Sequence, residues 1–211
     1  MTPRLKICGL TRTDDVDAAV AHGADALGFV FYPPSLRYIR PENAAVLIRR
    51  IPPFVESVGL FVNEDPATVR AICEQVPLSL LQFHGDESPE YCQQFDRPFI
   101  KAARVKPGLD LVEFALAFAG ARALLLDAFV DGFGGSGKTF DWKLIPPQLS
   151  LPVILSGGLH AENVTEAIRL TRPAAVDVSS GVEVSKGIKD HAKISAFVAA
   201  VRKADEKVQL T

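Results

Sequence analysis

The stretch LPVILSGGLHAENVTEAIRLT, residues 151–171, holds one strand, one glycine loop and one helix in immediate succession. Pro152–Ser156 is a short apolar run with the length of a buried strand. Gly157-Gly158 interrupts the run, and the pattern of Ala161–Thr171 is typical of a helix. Because the same unit returns along the whole chain, it decides the fold class.

Eight such units follow one another, with a spacing on the order of 26 residues. Several of the strands are apolar on both faces, as strands covered by helices must be. The predicted strands are Leu5–Cys8, Ala26–Phe31, Ser57–Phe61, Leu78–Phe83, Phe99–Ala103, Ala123–Asp127, Pro152–Ser156 and Ala175–Ser179. The predicted helices include Asp14–His22, Pro41–Arg50, segments opened by Asp65-Pro66 and Ser88-Pro89, Asp110–Phe118, Ala161–Thr171 and Asp190–Lys203.

Strands that alternate with helices predict a parallel sheet. Eight units predict an α/β fold in which one compact (β/α)8 TIM barrel forms a single domain over residues 1–211. The alternative is an open doubly wound sheet, which has fewer units and a glycine-rich first turn. The first turn here, Cys8-Gly9-Leu10-Thr11, is not a G-x-G-x-x-G sequence.

Composition narrows the function classes. The chain has 211 residues and a net charge of -2, so it lacks the positive field that a nucleic-acid-binding protein needs. No apolar run is long enough to cross a bilayer, and the amino terminus does not have the pattern of a signal peptide. Three irregularly spaced cysteines do not suggest a disulfide framework, and no histidines pair as metal ligands. We therefore expect a cytoplasmic protein without metal.

The sequence GFGGSGKT, Gly132–Thr139, matches the phosphate-binding loop of nucleotide hydrolases. Such a loop needs a long helix directly after it, and Pro146-Pro147 leaves no room for one. An NTPase is therefore the weaker alternative, to be tested by titration with ATP and Mg²⁺. The segment comes directly after Asp127, at the end of the sixth predicted strand. That position instead favours a lid over the barrel mouth, made by Gly134, Gly135, Gly137 and Lys138.

In TIM barrels the active site lies at the carboxyl ends of the strands. Asp127 ends the run ALLLD and is either a catalytic acid or base or a cap for the next loop. Cys8 ends LKIC and is either reactive or a buried, inert thiol. Together, a thiol and a carboxyl group at the barrel mouth could divide acid and base work.

Glycine loops follow the last two strands, where barrels commonly bind phosphate. Gly157 and Gly158 lie in the first loop, and Ser180 and Gly181 in the second; tight turns alone are the alternative. Arg37 has the planar fork that suits a carboxylate, although it could equally be a solvated surface residue. His84, in QFHGDE, either orients its loop or takes part in catalysis.

These segments, taken in order, resemble the phosphoribosylanthranilate isomerase family over nearly the whole chain. The matching segments are KICGLT (6–11), SLRYI (35–39), LQFHGDE (81–87), LLLDA (124–128), GGSGKTFDW (134–142), LSGGLHAENV (155–164) and DVSSGVE (177–183). The chain departs from the family after Glu183, where it reads VSKGIKD instead of a sequence close to SSPGIKD. We expect that difference to change only the local loop.

The resemblance implies an Amadori rearrangement in tryptophan biosynthesis, from N-(5-phosphoribosyl)anthranilate to 1-(2-carboxyphenylamino)-1-deoxyribulose 5-phosphate, without cofactor. It makes Cys8 the general base and Asp127 the general acid. It also assigns the anthranilate carboxylate to Arg37, and the phosphate to the glycine loops. Asp127 must then carry a proton when substrate binds, and nearby positive charge should lower the pKa of Cys8.

Two other functions stay open on the residues alone. An isomerase of the analogous histidine-pathway aminoaldose would be expected to pair aspartates at the ends of strands one and six, but Cys8 stands at the first position. A non-catalytic barrel that binds a phosphometabolite would explain the glycine loops but not the pairing of Cys8 with Asp127. The expected partner is a small phosphorylated substrate, and the protein is either a monomer or a homodimer.

Overall fold

The strands close into a barrel. The computed structural model describes residues 2–128 and 139–206. Parallel strands follow one another in chain order, and the last pairs with the first. They are β1 Arg4–Cys8, β2 Ala26–Val30, β3 Glu56–Phe61, β4 Leu80–Phe83, β5 Phe99–Val105, β6 Ala123–Ala128, β7 Val153–Leu155 and β8 Ala175–Val178. The predicted (β/α)8 barrel is confirmed, and the open sheet is excluded.

Helices cover the outside of the barrel. In the described residues they are α1 Thr13–Ala21, α2 Pro41–Ile48, α3 Pro66–Gln75, α4 Pro89–Gln93, α5 Leu111–Ala117, α6 Val164–Thr171 and α7 His191–Glu206. The predicted helix starts at Asp65-Pro66 and Ser88-Pro89 are confirmed: Asp65 accepts hydrogen bonds from two backbone N–H groups of α3, and Ser88 accepts one from Tyr91, so both residues are N-caps. These caps satisfy N–H groups that the first turn of a helix leaves without partners.

The strand–helix alternation is incomplete in two places. Between β6 and β7 the described chain holds only the 3-10 turn Trp142–Leu144, because the prolines beyond it stop helix growth. After β8 comes a second 3-10 turn, Ser180–Val182. It leads into a hairpin, β9 Glu183–Ser185 and β10 Ile188–Lys189, that the apolar pattern did not predict.

The turn at Trp142–Leu144 also bears on the nucleotide-binding alternative. A nucleotide-binding loop needs a long helix after Thr139, and the described residues place this single turn there. The lid residues predicted from sequence, Gly134, Gly135, Gly137 and Lys138, lie outside the described residues. No helix in the described part of the chain is long and apolar enough to cross a lipid bilayer.

The barrel interior changes from apolar to polar along the strands. An apolar cluster lies inside, made of Ile100, Ala102, Ala123, Leu125 and Ile154. Since side chains alternate between the two faces of a strand, the next inward positions toward the carboxyl ends carry polar groups. These groups are Lys6, Cys8, Gln82, Asp127, Ser156 and Asp177. The fold thus gathers these six polar groups at one end of the barrel interior.

Candidate active site

Cys8 lies at the carboxyl end of β1 among buried charges. Its thiol is buried, and beneath it Lys6 Nζ donates a hydrogen bond to Asp177 Oδ1 at 2.8 Å. The register pairs Lys6 directly with Asp177 across β1 and β8. Ser156 Oγ donates to the other oxygen of Asp177 at 3.2 Å. A cation therefore stands next to the thiol, held in place by a buried carboxylate.

The balance of these charges corrects the expectation for Cys8. Burial raises the pKa of the Cys8 thiol, and Asp177 adds to the rise. Lys6 and Lys189 lower that pKa but do not overcome burial. Burial lowers the pKa of Lys6, but Asp177 and Cys8 raise it, and the result lies above the ordinary value for a lysine. The expected lowered pKa of Cys8 is therefore wrong for the protein without substrate, although the predicted positive charge is present.

Arg37 is buried and held by an acid. Its Nε and Nη2 donate to the two carboxylate oxygens of Glu183 at 2.9 and 2.8 Å. Burial acts to raise the pKa of Glu183, but hydrogen bonds from Arg37 and Lys189 lower it overall. The solvated surface arginine is thus excluded. No acceptor for the third guanidinium nitrogen, Nη1, is found within the described residues.

Lys189, on β10, ties this arginine pair to the strand that carries the thiol. Its Nζ donates to Glu183 Oε1 at 2.9 Å and to the backbone oxygen of Cys8 at 2.6 Å. A third bond, to the backbone oxygen of Ser179, measures 3.2 Å. The unpredicted hairpin is therefore joined by hydrogen bonds of Lys189 to the carboxyl end of β1 and to the residue that follows β8.

Asp127 lies at the end of β6, beside a histidine. His84 Nε2 is 3.2 Å from Asp127 Oδ2, and both side chains are largely buried. The other ring nitrogen, Nδ1, is 3.0 Å from the amide nitrogen of Gln82. Asp127 Oδ1 accepts a hydrogen bond from the backbone N–H of Ala128 at 2.8 Å. The structure therefore brings His84 to the proposed acid.

The two glycine loops lie against each other. A Cβ atom added to Gly181 would collide with the carbonyl oxygen of Leu159, so only glycine fits there. Gly157 and Gly158 both have positive φ angles, 83° and 63°. No acceptor for either of their backbone N–H groups is found among residues 2–128 and 139–206. Such N–H groups suit an anion.

Asn163, just before α6, holds the first of these loops in shape. Its Oδ1 accepts from the backbone N–H of His160 at 2.9 Å, and its Nδ2 donates to the carbonyl oxygen of Gly158 at 3.0 Å. The loop geometry is therefore fixed before any ligand binds. Within the described residues, no group of three His, Cys, Asp or Glu side chains could hold a metal ion.

Comparison with known proteins identifies the family. The family model described as N-(5'phosphoribosyl)anthranilate (PRA) isomerase matches residues 5–200. The chain belongs to the phosphoribosylanthranilate isomerase family. It therefore catalyses the rearrangement of N-(5-phosphoribosyl)anthranilate to 1-(2-carboxyphenylamino)-1-deoxyribulose 5-phosphate in tryptophan biosynthesis. The resemblance noted in the sequence is confirmed.

Individual relatives agree with this assignment. A curated N-(5'-phosphoribosyl)anthranilate isomerase from Dechloromonas aromatica is 68% identical over 208 residues, 99% of this chain and 100% of its own. A crystal structure of phosphoribosyl anthranilate isomerase from Thermotoga maritima has a TM-score of 0.89 at 46% identity, covering 95% of this chain and 99% of that one. Another, in complex with reduced 1-(o-carboxyphenylamino)-1-deoxyribulose 5-phosphate, has a TM-score of 0.85 at 43% identity, with the same coverage.

Sequence reasoning missed several residues that surround the candidate isomerase site. Lys6 and Asp177 are charged residues inside apolar strands, and that interruption was an available signal. Gln82 interrupts β4 in the same way. Glu183 and Lys189 gave no such signal, because they stand in a polar segment whose hairpin was not predicted.

Proposed function

We propose that the rearrangement is carried out by Asp127 as general acid and Cys8 as general base. Asp127 protonates the furanose ring oxygen, and the ring opens to an imine. The thiolate of Cys8 then removes the proton from C2′, and the resulting enolamine tautomerises to the ketone. The observation that carries the proposal is the placement of one thiol and one carboxyl group at the same end of the barrel, in different surroundings.

Lys6 is the group that we propose stabilises a buried thiolate at Cys8. A thiolate in an apolar site is costly because it loses its hydration. Lys6 offers a fixed positive charge next to the sulfur, and Asp177 keeps that ammonium group oriented. We therefore assign Lys6 the role of stabilising the thiolate form of Cys8, and Asp177 that of holding Lys6.

Arg37 is proposed to bind the anthranilate carboxylate. Its two bonds to Glu183 fix the plane of the guanidinium group. The substrate carboxylate would bind the edge that includes Nη1, because a planar guanidinium group matches the geometry of a carboxylate. Glu183 thus orients the arginine, while the hairpin lysine keeps Glu183 ionised.

The phosphate is proposed to bind between the two glycine loops, at Gly157, Gly158, Ser180 and Gly181. The backbone N–H groups of Gly157 and Gly158 lack acceptors in the described residues, and Gly181 of the second loop closely approaches Leu159. The Asn163 bonds hold the first loop ready, so little ordering is needed when the anion binds.

The direct test is an assay that follows the fluorescence of phosphoribosylanthranilate, made in situ, as the protein consumes it. We expect rapid consumption without added metal or cofactor. Persistent substrate fluorescence, with folded protein present, would refute the activity. The same assay with inorganic phosphate as competitor tests the loops: competition should weaken in a Gly158→Asp variant, because its carboxylate repels an anion.

We further propose a cytoplasmic protein that forms a homodimer. A structure of the Thermotoga maritima isomerase is described as that of monomers generated from a dimeric protein. In this chain Phe54 is fully exposed just before β3, at the amino end of the barrel. A large exposed apolar side chain suits an interface between copies. Size-exclusion chromatography of the wild type and of Phe54→Ser tests this, and a monomeric wild type would contradict it.

A further inference from the structure

We propose that Gln82 is a positioning residue for the acid of this isomerase. It holds His84 as the neutral ring that is protonated on Nε2 and directs that N–H at Asp127. The inference rests on the proposed role of Asp127. It adds a second residue, His84, whose protonation is set from the barrel interior and not by the substrate.

The hydrogen-bond partners determine where the ring proton lies. The amide nitrogen of Gln82 carries only hydrogens, so at 3.0 Å it can only donate to His84 Nδ1. Nδ1 must then be the acceptor, and the single proton of a neutral imidazole stands on Nε2. Nε2 lies 3.2 Å from Asp127 Oδ2. The chain of contacts therefore runs from Gln82 through His84 to the proposed acid.

Gln82 does not occupy its position for the sake of stability. It is fully buried in the barrel, where the same face of β4 carries Leu80 and the neighbouring position on β5 is Ile100. Its Oε1 has no hydrogen-bond partner among the described residues. A buried amide with an unpaired oxygen costs free energy that an aliphatic side chain of similar size would not. We therefore attribute the presence of a glutamine at this position to its contact with His84.

This arrangement suits a carboxyl group that must give up a proton and later regain it. A neutral N–H donor stabilises the carboxylate that Asp127 becomes after it protonates the sugar ring. A doubly protonated His84 would instead form an ion pair with Asp127 and keep it ionised, so that no proton was available for the ring oxygen. By presenting its amide nitrogen and not its oxygen, Gln82 disfavours the doubly protonated ring.

Other charged groups lie near this pair. Arg104 on β5 is the register neighbour of Asp127, and its Nη2 donates to Asp86 Oδ1 at 2.6 Å. In the segment that follows His84, Glu87 Oε2 forms a buried pair with Lys101 Nζ at 2.8 Å. These groups are unchanged in the variants below, so differences between variants report on Gln82.

The first experiment is ¹⁵N NMR of the histidine rings in the wild-type protein, with His84→Asn used to assign the signals. We expect His84 to be protonated on Nε2 and unprotonated on Nδ1 between pH 6 and 8. A ring protonated on Nδ1 alone, or on both nitrogens, overturns the inference. This measurement needs no variant at Gln82 and does not depend on the role of Asp127.

The second experiment compares Gln82→Met and Gln82→Glu with Leu80→Met, a matched change on the same strand face. Gln82→Met should keep the fold, mix the two neutral forms of His84 and lower kcat about tenfold with little change in KM. Gln82→Glu should protonate His84 on both nitrogens and lower kcat further, with its pH profile displaced. Leu80→Met should leave the ring signals and kcat unchanged.

The outcomes separate two failures. If Gln82→Met keeps both the wild-type ring signals and the wild-type kcat, the role of Gln82 is refuted. If the ring signals change as expected while Asp127→Asn keeps wild-type turnover, the hydrogen-bond chain is real but Asp127 is not the acid. In that case the proposed role of Asp127 fails, while the control of the His84 ring proton by Gln82 stands.

Discussion

The two sides of the barrel mouth surround Cys8 and Asp127 with different kinds of side chain. On the β1 side, Cys8 is surrounded by formal charges: Lys6 pairs with Asp177 below it, and Lys189 bonds its backbone. On the β6 side, the groups within hydrogen-bond distance of Asp127 are a ring nitrogen of His84 and a backbone N–H. The proposed base, which must become an anion, therefore lies beside a lysine, whereas the proposed acid lies beside a histidine.

That contrast follows from how burial acts on the two groups. Burial raises the pKa of a thiol because it disfavours the thiolate, so the β1 side needs compensating positive charge. A nearby cation would lower the pKa of a carboxyl group that serves as an acid, and the group would then lose its proton before the substrate binds. The predictions below test each side of this comparison, from the largest expected effect to the smallest.

Loss of either reactive group should nearly abolish turnover. Cys8→Ala and Asp127→Asn should each lower kcat by about 10³-fold or more, because general acid and base groups typically contribute about 10² to 10⁴. Cys73→Ala, a change at a half-buried thiol on α3, should leave kcat unchanged. The check is steady-state fluorescence kinetics with circular dichroism to confirm folding. Near-normal turnover would remove that residue from the mechanism.

Breaking the ion pair beneath Cys8 should cost stability. Lys6→Met leaves Asp177 buried without its cationic partner, and we expect the free energy of unfolding to fall by about 3–5 kcal/mol. The double variant Lys6→Met/Asp177→Leu should recover most of that loss, since neither charge remains. Urea denaturation measures both. Equal losses in the single and double variants would show that the charges do not interact.

The pH dependence of Cys8 labelling tests the charge balance directly. Because burial raises the pKa of the Cys8 thiol, most of it should be protonated at neutral pH. The rate of alkylation by iodoacetamide, followed by mass spectrometry of the Cys8 peptide, should therefore still be increasing at a pH where a free cysteine has reached its plateau. A plateau near neutral pH would show that Lys6 and Lys189 outweigh burial. In Asp177→Asn the increase should come at lower pH, because that carboxylate also disfavours the thiolate.

Arg37 should affect binding more than chemistry. Arg37→Lys loses the planar fork, so we expect KM to rise about tenfold with a smaller change in kcat, in line with about 1.5 kcal/mol for a charged hydrogen bond. Arg40→Lys, an exposed change at the start of α2, is the control and should alter neither constant. A fall in kcat alone would place Arg37 in the chemical step and not in carboxylate binding.

The sequence by itself determined the barrel, because strands and helices of this kind are defined by neighbours in the chain. Apolar runs, N-caps and prolines act over a few residues, so β1 to β8 were predicted to within a residue or two at most ends. The end-of-strand rule then placed Cys8 and Asp127 at the mouth, and glycines marked the two loops. Where a local signal was weak, as in the hairpin of β9 and β10, the prediction missed the element.

Only the tertiary structure decided what surrounds those residues. The bond between Lys6 and Asp177 joins positions 171 residues apart, and that between Arg37 and Glu183 joins positions 146 apart. Such pairs exist because the barrel closes, and nothing in the local pattern of either residue names its partner. The same holds for the direction of the Cys8 pKa, in which burial and three charged side chains compete. Their sum depends on distances in space, which spacing along the chain does not contain.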